Sequence, residues 1–300
     1  MTLTEYIIQQ IINALSLGSL YALVALGLSL IFGILRMTNF AHGDVMMIGA
    51  LATALMSAAG VPLAVGLPTG IIVAAAAGLV IERVAYRPLR GAPDVTLLLT
   101  SLAVTYVIEN LGILIFTASP RNFPIPGWLD LSFDFADGRI TVTAITALTL
   151  LLTVLSLIAL GWFVSRTTAG LGMRAVSEDR VAANLVGLNV NRLIAGAFGL
   201  ASAFAGLAGV LWAAQAGVVD PQMGFSPLLK AFVASIIGGL GSTTGALLGG
   251  FLLGILEVFI VAFLPPEVGP YRDAIVFSLL IVFLLVRPAG LLKANREIKL

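Results

Sequence analysis

SRTTAGLGMRAVSEDRVAANLVGLNVNR, residues 165–192, is the stretch that decides how the chain is read. It gathers Arg166, Arg174, Arg180, Arg192, Glu178 and Asp179 into one polar run, with almost unbroken hydrocarbon on either side. Charged groups are expensive in lipid, so an island of this kind sits in water or against a soluble partner. No proline occurs from Met173 to Leu188, and Ala175, Ala182, Ala183, Leu185 and Val186 are interleaved with the charges. That pattern predicts a single helix over 173–188. It reads as a handle by which something cytoplasmic moves a membrane-embedded body. The plainer reading is a solvated loop helix with no partner.

The flanks set the class. The chain is 59% hydrophobic and 10% charged, with a mean hydropathy of +1.09, which is not a soluble globular composition. Several apolar runs are long enough to cross a hydrocarbon core of ~30 Å. They are apolar on all sides, whereas barrel strands would alternate with polar lumen positions. The expected fold is therefore all-α: one polytopic transmembrane bundle over residues 1–300. Cysteine is absent and His42 is the single histidine, so thiolate and multi-histidine metal sites are excluded and no cofactor is expected. A net charge of +1 without a basic stripe gives no reason to invoke nucleic acid. Glu5 and no Lys or Arg precede Arg36, so the first apolar run lacks a signal peptide's basic leader and is expected to remain in the mature protein.

Nine membrane segments are expected, at 7–35, 45–59, 62–81, 95–118, 140–164, 190–215, 228–240, 245–264 and 271–286. The short ones, 45–59 and 228–240, read either as crossings or as re-entrant half-helices. Most of the Lys and Arg fall in 82–94, 165–192 and the basic tail 287–300, which the positive-inside rule places in the cytoplasm. The proline-rich, acidic loop 119–139 then faces outside, and the count of segments closes with the N-terminus out and the C-terminus in. Making only one short segment re-entrant would break that parity.

Chemistry of its own is missing. No GxxxxGK[ST] loop occurs, the only lysines are Lys230, Lys293 and Lys299, and no nucleophile elbow, HExxH or paired-carboxylate site is present. The chain is thus expected to be no enzyme and to hydrolyse no ATP by itself. Gly241, Gly245 and Gly249, with Gly250 and Gly254 beside them, have the spacing that lets helix backbones approach closely in lipid. A role for them along a solute path is the sharper alternative. Glu109 and Asn110 lie within the fourth segment and Glu257 within the eighth, where a polar group marks a functional site or bonds to a neighbouring helix. Lys230, close to a segment end, is expected to snorkel to the interface. Asn39, His42 and Asp44 fall at a helix break, where helix termini can present dipoles to a polar solute; a capping or packing role is the plainer account.

Two runs near the N-terminus, YALVALGLSLIFG (21–33) and NFAHGDVMMIG (39–49), carry a resemblance. With MRAVSEDRVAANLVG (173–187), AGLAG (205–209) and GGLGSTTGALLGG (238–250), they resemble branched-chain amino acid ABC transporter permeases over nearly the whole chain. They resemble in particular the smaller permease subunit of high-affinity leucine/isoleucine/valine importers. Asp44 stands where that family commonly has Glu, and Glu109 where a neutral amide is expected. The resemblance implies a multi-pass protein of the bacterial inner membrane that pairs with a second, homologous permease. It further implies two cytoplasmic ATP-binding subunits and a periplasmic substrate-binding protein. Residues 165–192 would then be the coupling segment, with Ala182, Ala183, Leu185 and Gly187 as apolar contacts to the ATPase and Arg174, Glu178, Asp179 and Arg180 as a charged rim. Asn39, His42, Asp44, Glu109 and Asn110 are the candidates for the solute path. A urea or short-amide permease is the nearest alternative, and an ion-coupled secondary transporter using Glu109 or Glu257 is the rival from another class.

Overall fold

The longest apolar run forms the axis of the molecule. Helix α1 (Leu3–Leu35) is buried from Gly18 to Ile31, surrounded by four later helices, Ala144–Arg166, Val190–Ala216, Phe225–Gly238 and Thr243–Phe263. The computed structural model describes residues 2–35, 37, 39–287 and 290–292. Arg36, from the predicted break, and the basic tail from Lys293 lie outside the described residues.

Eight further helices match the expected segments among the described residues: α2 (His42–Ala58), α3 (Leu63–Ile81), α4 (Asp94–Phe116), α5 (Ala144–Arg166), α8 (Val190–Ala216), α9 (Phe225–Gly238), α10 (Thr243–Phe263) and α11 (Arg272–Val286). Each expected segment has its helix, and seven of the nine, α3 counted with its continuation to Leu89 and α11 with the turn from Glu267, are long and apolar enough to cross a membrane. The chain is a multi-pass membrane protein. At 1.5 Å per residue, α2 and α9 are roughly 26 and 21 Å long, short of a full ~30 Å core.

Residues 119–143 are more ordered than a proline-rich loop suggests. Strands β2 (Ser132–Phe135) and β3 (Ile140–Thr143) pair antiparallel, and β1 (Arg121–Asn122) pairs with β4 (Val218–Val219). The β-branched run ITVT, expected to open the fifth span, is strand instead, and helix starts only after Thr143, whose hydroxyl accepts from the Thr146 N–H.

The two ends of the bundle differ. Gln9 bonds to Thr141 and Glu5 to Arg139, which sets the hairpin beside the start of α1. At the other end Gly33 packs on Gly241, the Leu291 N–H donates to Ile237, and Arg90 bonds to both Glu82 and Asn191. The basic segments 82–94 and 165–192 and the described start of the third therefore share one end, and the acidic hairpin occupies the opposite one.

With no hydrophobic drive between helices in lipid, close backbone packing has to hold the bundle. A Cβ on Gly250 would lie 2.6 Å from the Ala22 Cα, and one on Gly254 would lie 2.5 Å from the Gly18 Cα, so α10 and α1 touch backbone to backbone. Gly245 and Gly249 meet the carbonyls of Gly238 and Ala234 on α9 in the same way. Gly241, at φ +83°, turns the chain between α9 and α10, a conformation only glycine adopts freely.

Candidate functional site

Residues 165–192 do not form the single helix expected over 173–188. They form two, α6 (Thr168–Glu178) and α7 (Arg180–Leu185). The break is Asp179, in extended conformation, whose Oδ1 accepts the N–H groups of Val181 at 2.7 Å and Ala182 at 3.0 Å. An aspartate offers the backbone this alternative to continued helix, so it ends α6 and starts α7. Gly187, at φ +85°, closes α7, and the Asn189 side chain caps α8.

Burial sorts the segment's residues. Met173 and Val176 of α6 face inward, as does Ala183, expected as a surface contact but only 3% exposed. Arg174, Glu178, Asp179, Arg180, Ala182, Leu185 and Gly187 are exposed. Val181 and Val186, absent from the sequence-based set, join Leu185 at 70%, 76% and 82% exposure. Three large aliphatic side chains thus project beside charged groups. Arg180 also reaches inward: its Nη2 donates to the Leu35 carbonyl at 2.9 Å, tying α7 to the C-terminal end of α1.

The path candidates separate into two environments. His42 is fully buried between α1 and α8, where Gly27 makes room for it: a Cβ there would lie 2.5 Å from the imidazole. Asn39 is buried and accepts the Tyr86 hydroxyl at 2.7 Å. Asp44 lies at the seam between α2 and α4, with Thr105 and Glu109 beside it. Asn110 is on the exposed side of α4, its amide donating to the Tyr106 carbonyl of its own helix at 2.7 Å. Ser101 and Thr105 escaped the sequence reading. Their signal is the spacing Ser101, Thr105, Glu109, one polar stripe along an otherwise apolar helix.

A second polar cluster surrounds Glu257, which bonds to neighbouring helices, one of its two expected readings. Lys230, expected to snorkel, is 4% exposed and bonds to Glu257 at 2.8 Å and Asp273 at 2.9 Å. Arg272 reaches Glu257 at 3.1 Å and Asp273 at 3.3 Å, and the Tyr21 hydroxyl donates to Glu257 Oε2 at 2.6 Å. The group joins α1, α9, α10 and α11. Snorkelling fails because α9 is surrounded by helices at that depth, and a counter-charge is at hand.

Comparisons with known proteins fit this architecture. Residues 10–285 match the family model described as the permease component of the branched-chain amino acid transport system. The chain is 38% identical to the high-affinity branched-chain amino acid transport system permease protein BraD of Pseudomonas aeruginosa, over 95% of both chains. It is 29% identical to the permease protein LivM of the corresponding Escherichia coli system, over 95% of this chain and 70% of LivM. Among solved structures, PsaBC from Streptococcus pneumoniae in complex with Fab aligns with TM-score 0.50 and 16% identity, covering 92% of this chain and 91% of that one, a likeness of fold. The chain belongs to the family of branched-chain amino acid transport system permease components.

Proposed function

We propose that this chain is the permease subunit of an ATP-driven importer of branched-chain, hydrophobic amino acids in a bacterial inner membrane. It is oriented N-out and C-in, with the basic end of the bundle in the cytoplasm. The observation that carries this reading is identity of 38% to a branched-chain permease protein along nearly the full length of both chains. Likeness to LivM as well supports pairing with a second, homologous permease, since the two subunits of such a pair share one fold. Having no phosphate-binding loop, the chain takes its work from separate cytoplasmic ATPases, and a periplasmic binding protein delivers the solute.

Work enters through α6 and α7. Val181, Leu185 and Val186 fill an apolar groove of the ATPase, and Arg174, Glu178 and Asp179 line its rim. Motion of α7 reaches the bundle by two routes: covalently through α5 and α8, and directly through Arg180 into the end of α1. Because α1 carries α10, α9 and α8 on its sides, a tilt of α1 moves the whole core.

The test is reconstitution with the second permease, the ATPases and the binding protein. Leucine, isoleucine and valine enter only with ATP, and Val181→Asp with Leu185→Asp abolishes ATPase co-purification while membrane insertion persists. Uptake by this chain alone under an ion gradient, or uptake of urea in place of leucine, would reject the reading.

A further inference from the structure

Helix α4 leans on the bundle through a narrow contact. Ser101, Thr105 and Gly112 are its buried residues, and Val95, Leu99, Tyr106, Val107, Leu111, Leu114 and Ile115 are exposed. Gly112 of the buried stripe packs on Met47 of α2, and Thr105 and Glu109 lie toward Asp44, one turn before Met47. Asp44 is 2% and Thr105 4% exposed, yet Asp44 Oδ2 and Thr105 Oγ1 have no hydrogen-bond partner among the described residues. Helices α2 and α4 contain no Lys or Arg at all, so neither brings a counter-charge to the two carboxylates. Buried polar groups are ordinarily satisfied, and unpaired carboxylates at membrane depth are costly. A cation that also donates hydrogen bonds is the chemical complement of these groups. Glu109, half-buried next to exposed Asn110, leads from the seam to the outer face of α4.

We infer that Asp44, Thr105 and Glu109 form a binding site for a primary ammonium group, the amino end of the transported solute, at the seam of α2 and α4. Asp44 and Glu109 supply the charge, Thr105 Oγ1 accepts one N–H, and the apolar remainder of the solute lies along α4. The assignment rests on the importer reading for its solute but not for its chemistry, and the two are tested separately.

In the detergent-solubilised transporter, with the binding protein omitted, melting is followed against 3-methylbutan-1-amine, which keeps the ammonium and loses the carboxylate, and against 4-methylpentanoate, which does the reverse. The amine raises the melting temperature, the carboxylate does not, and Asp44→Asn removes the amine's effect. No response to the amine, or an equal response in Asp44→Asn, overturns the site. In proteoliposomes of the complete transporter, Asp44→Asn lowers leucine uptake per ATP hydrolysed by about tenfold or more, the loss of one charged hydrogen bond. Thr105→Val lowers it less, and Thr105→Ser restores it. A wild-type ratio in Asp44→Asn, or uptake that requires sodium and loses that requirement in Asp44→Asn, overturns the ammonium assignment. Absence of ATP-driven leucine uptake in the unmodified protein would sink the importer reading, while the amine titration still judges the site.

Discussion

Two polar clusters lie inside this bundle, and they are built on opposite plans. Around Glu257 every charge meets an opposite one: Lys230, Arg272, Asp273 and the Tyr21 hydroxyl form a neutral, mutually bonded group. At the α2–α4 seam Asp44 and Glu109 share one sign, and Asp44 Oδ2 and the Thr105 hydroxyl have no hydrogen-bond partner among the described residues. Both clusters cost desolvation, but only the first recovers it within the chain. The first has the character of a clasp, holding short α9 and peripheral α11 to α10 and α1. The second sets two carboxylates and a hydroxyl where neither helix supplies an opposite charge.

Breaking the clasp gives the largest effect. Lys230→Met leaves Glu257 buried with fewer donors and Asp273 without its lysine, and costs about 3–5 kcal/mol, the usual cost of removing one partner of a buried pair. Equilibrium unfolding in detergent–lipid micelles measures it. Adding Glu257→Gln to Lys230→Met recovers much of the loss; a second mutation that merely adds its own penalty would show that the charges are not coupled. Tyr21→Phe comes next. It removes one hydrogen bond to a charged acceptor and keeps the ring, including its tilted packing on Trp212, so the expected loss is about 1.5–3 kcal/mol. A Tyr21→Phe protein as stable as the parent would place the hydroxyl outside the clasp.

The difference between the clusters also explains what could be read from sequence. Nine apolar runs became nine helices because run length and hydropathy are local quantities, set by bilayer thickness. The glycine spacings likewise announced close packing, though not which helix each would meet. Pairing is not local. Tyr21 and Glu257 are 236 residues apart, and no spacing rule connects them, so Lys230 seemed an interface residue until α10 and α11 were placed beside it. The break at Asp179 was within reach of sequence reasoning, since aspartate after Ser177 and Glu178 is a strong helix-starting signal; counting only apolar positions hid it. Asp44 and Glu109 were visible singly as polar residues at depth. Their adjacency, and the part played by Thr105, depends on α4 lying against α2, which the sequence of neither helix encodes.

The seam should answer mutation in the opposite sense, and with the smallest effect. A carboxylate that is desolvated and unpaired contributes nothing to folding, and removing its charge relieves a cost rather than breaking a bond. Thr105→Val replaces an unbonded hydroxyl by a methyl of nearly the same shape, which is neutral or stabilising where no partner is lost. Asp44→Asn and Thr105→Val are therefore expected to unfold at or slightly above the parent's stability, by about 0–1 kcal/mol, in the assay that reports several for Lys230→Met. If either instead loses stability on the scale of Tyr21→Phe, the seam is a second clasp with bonds of its own. The contrast between a closed cluster and an open one then fails, whatever happens to transport.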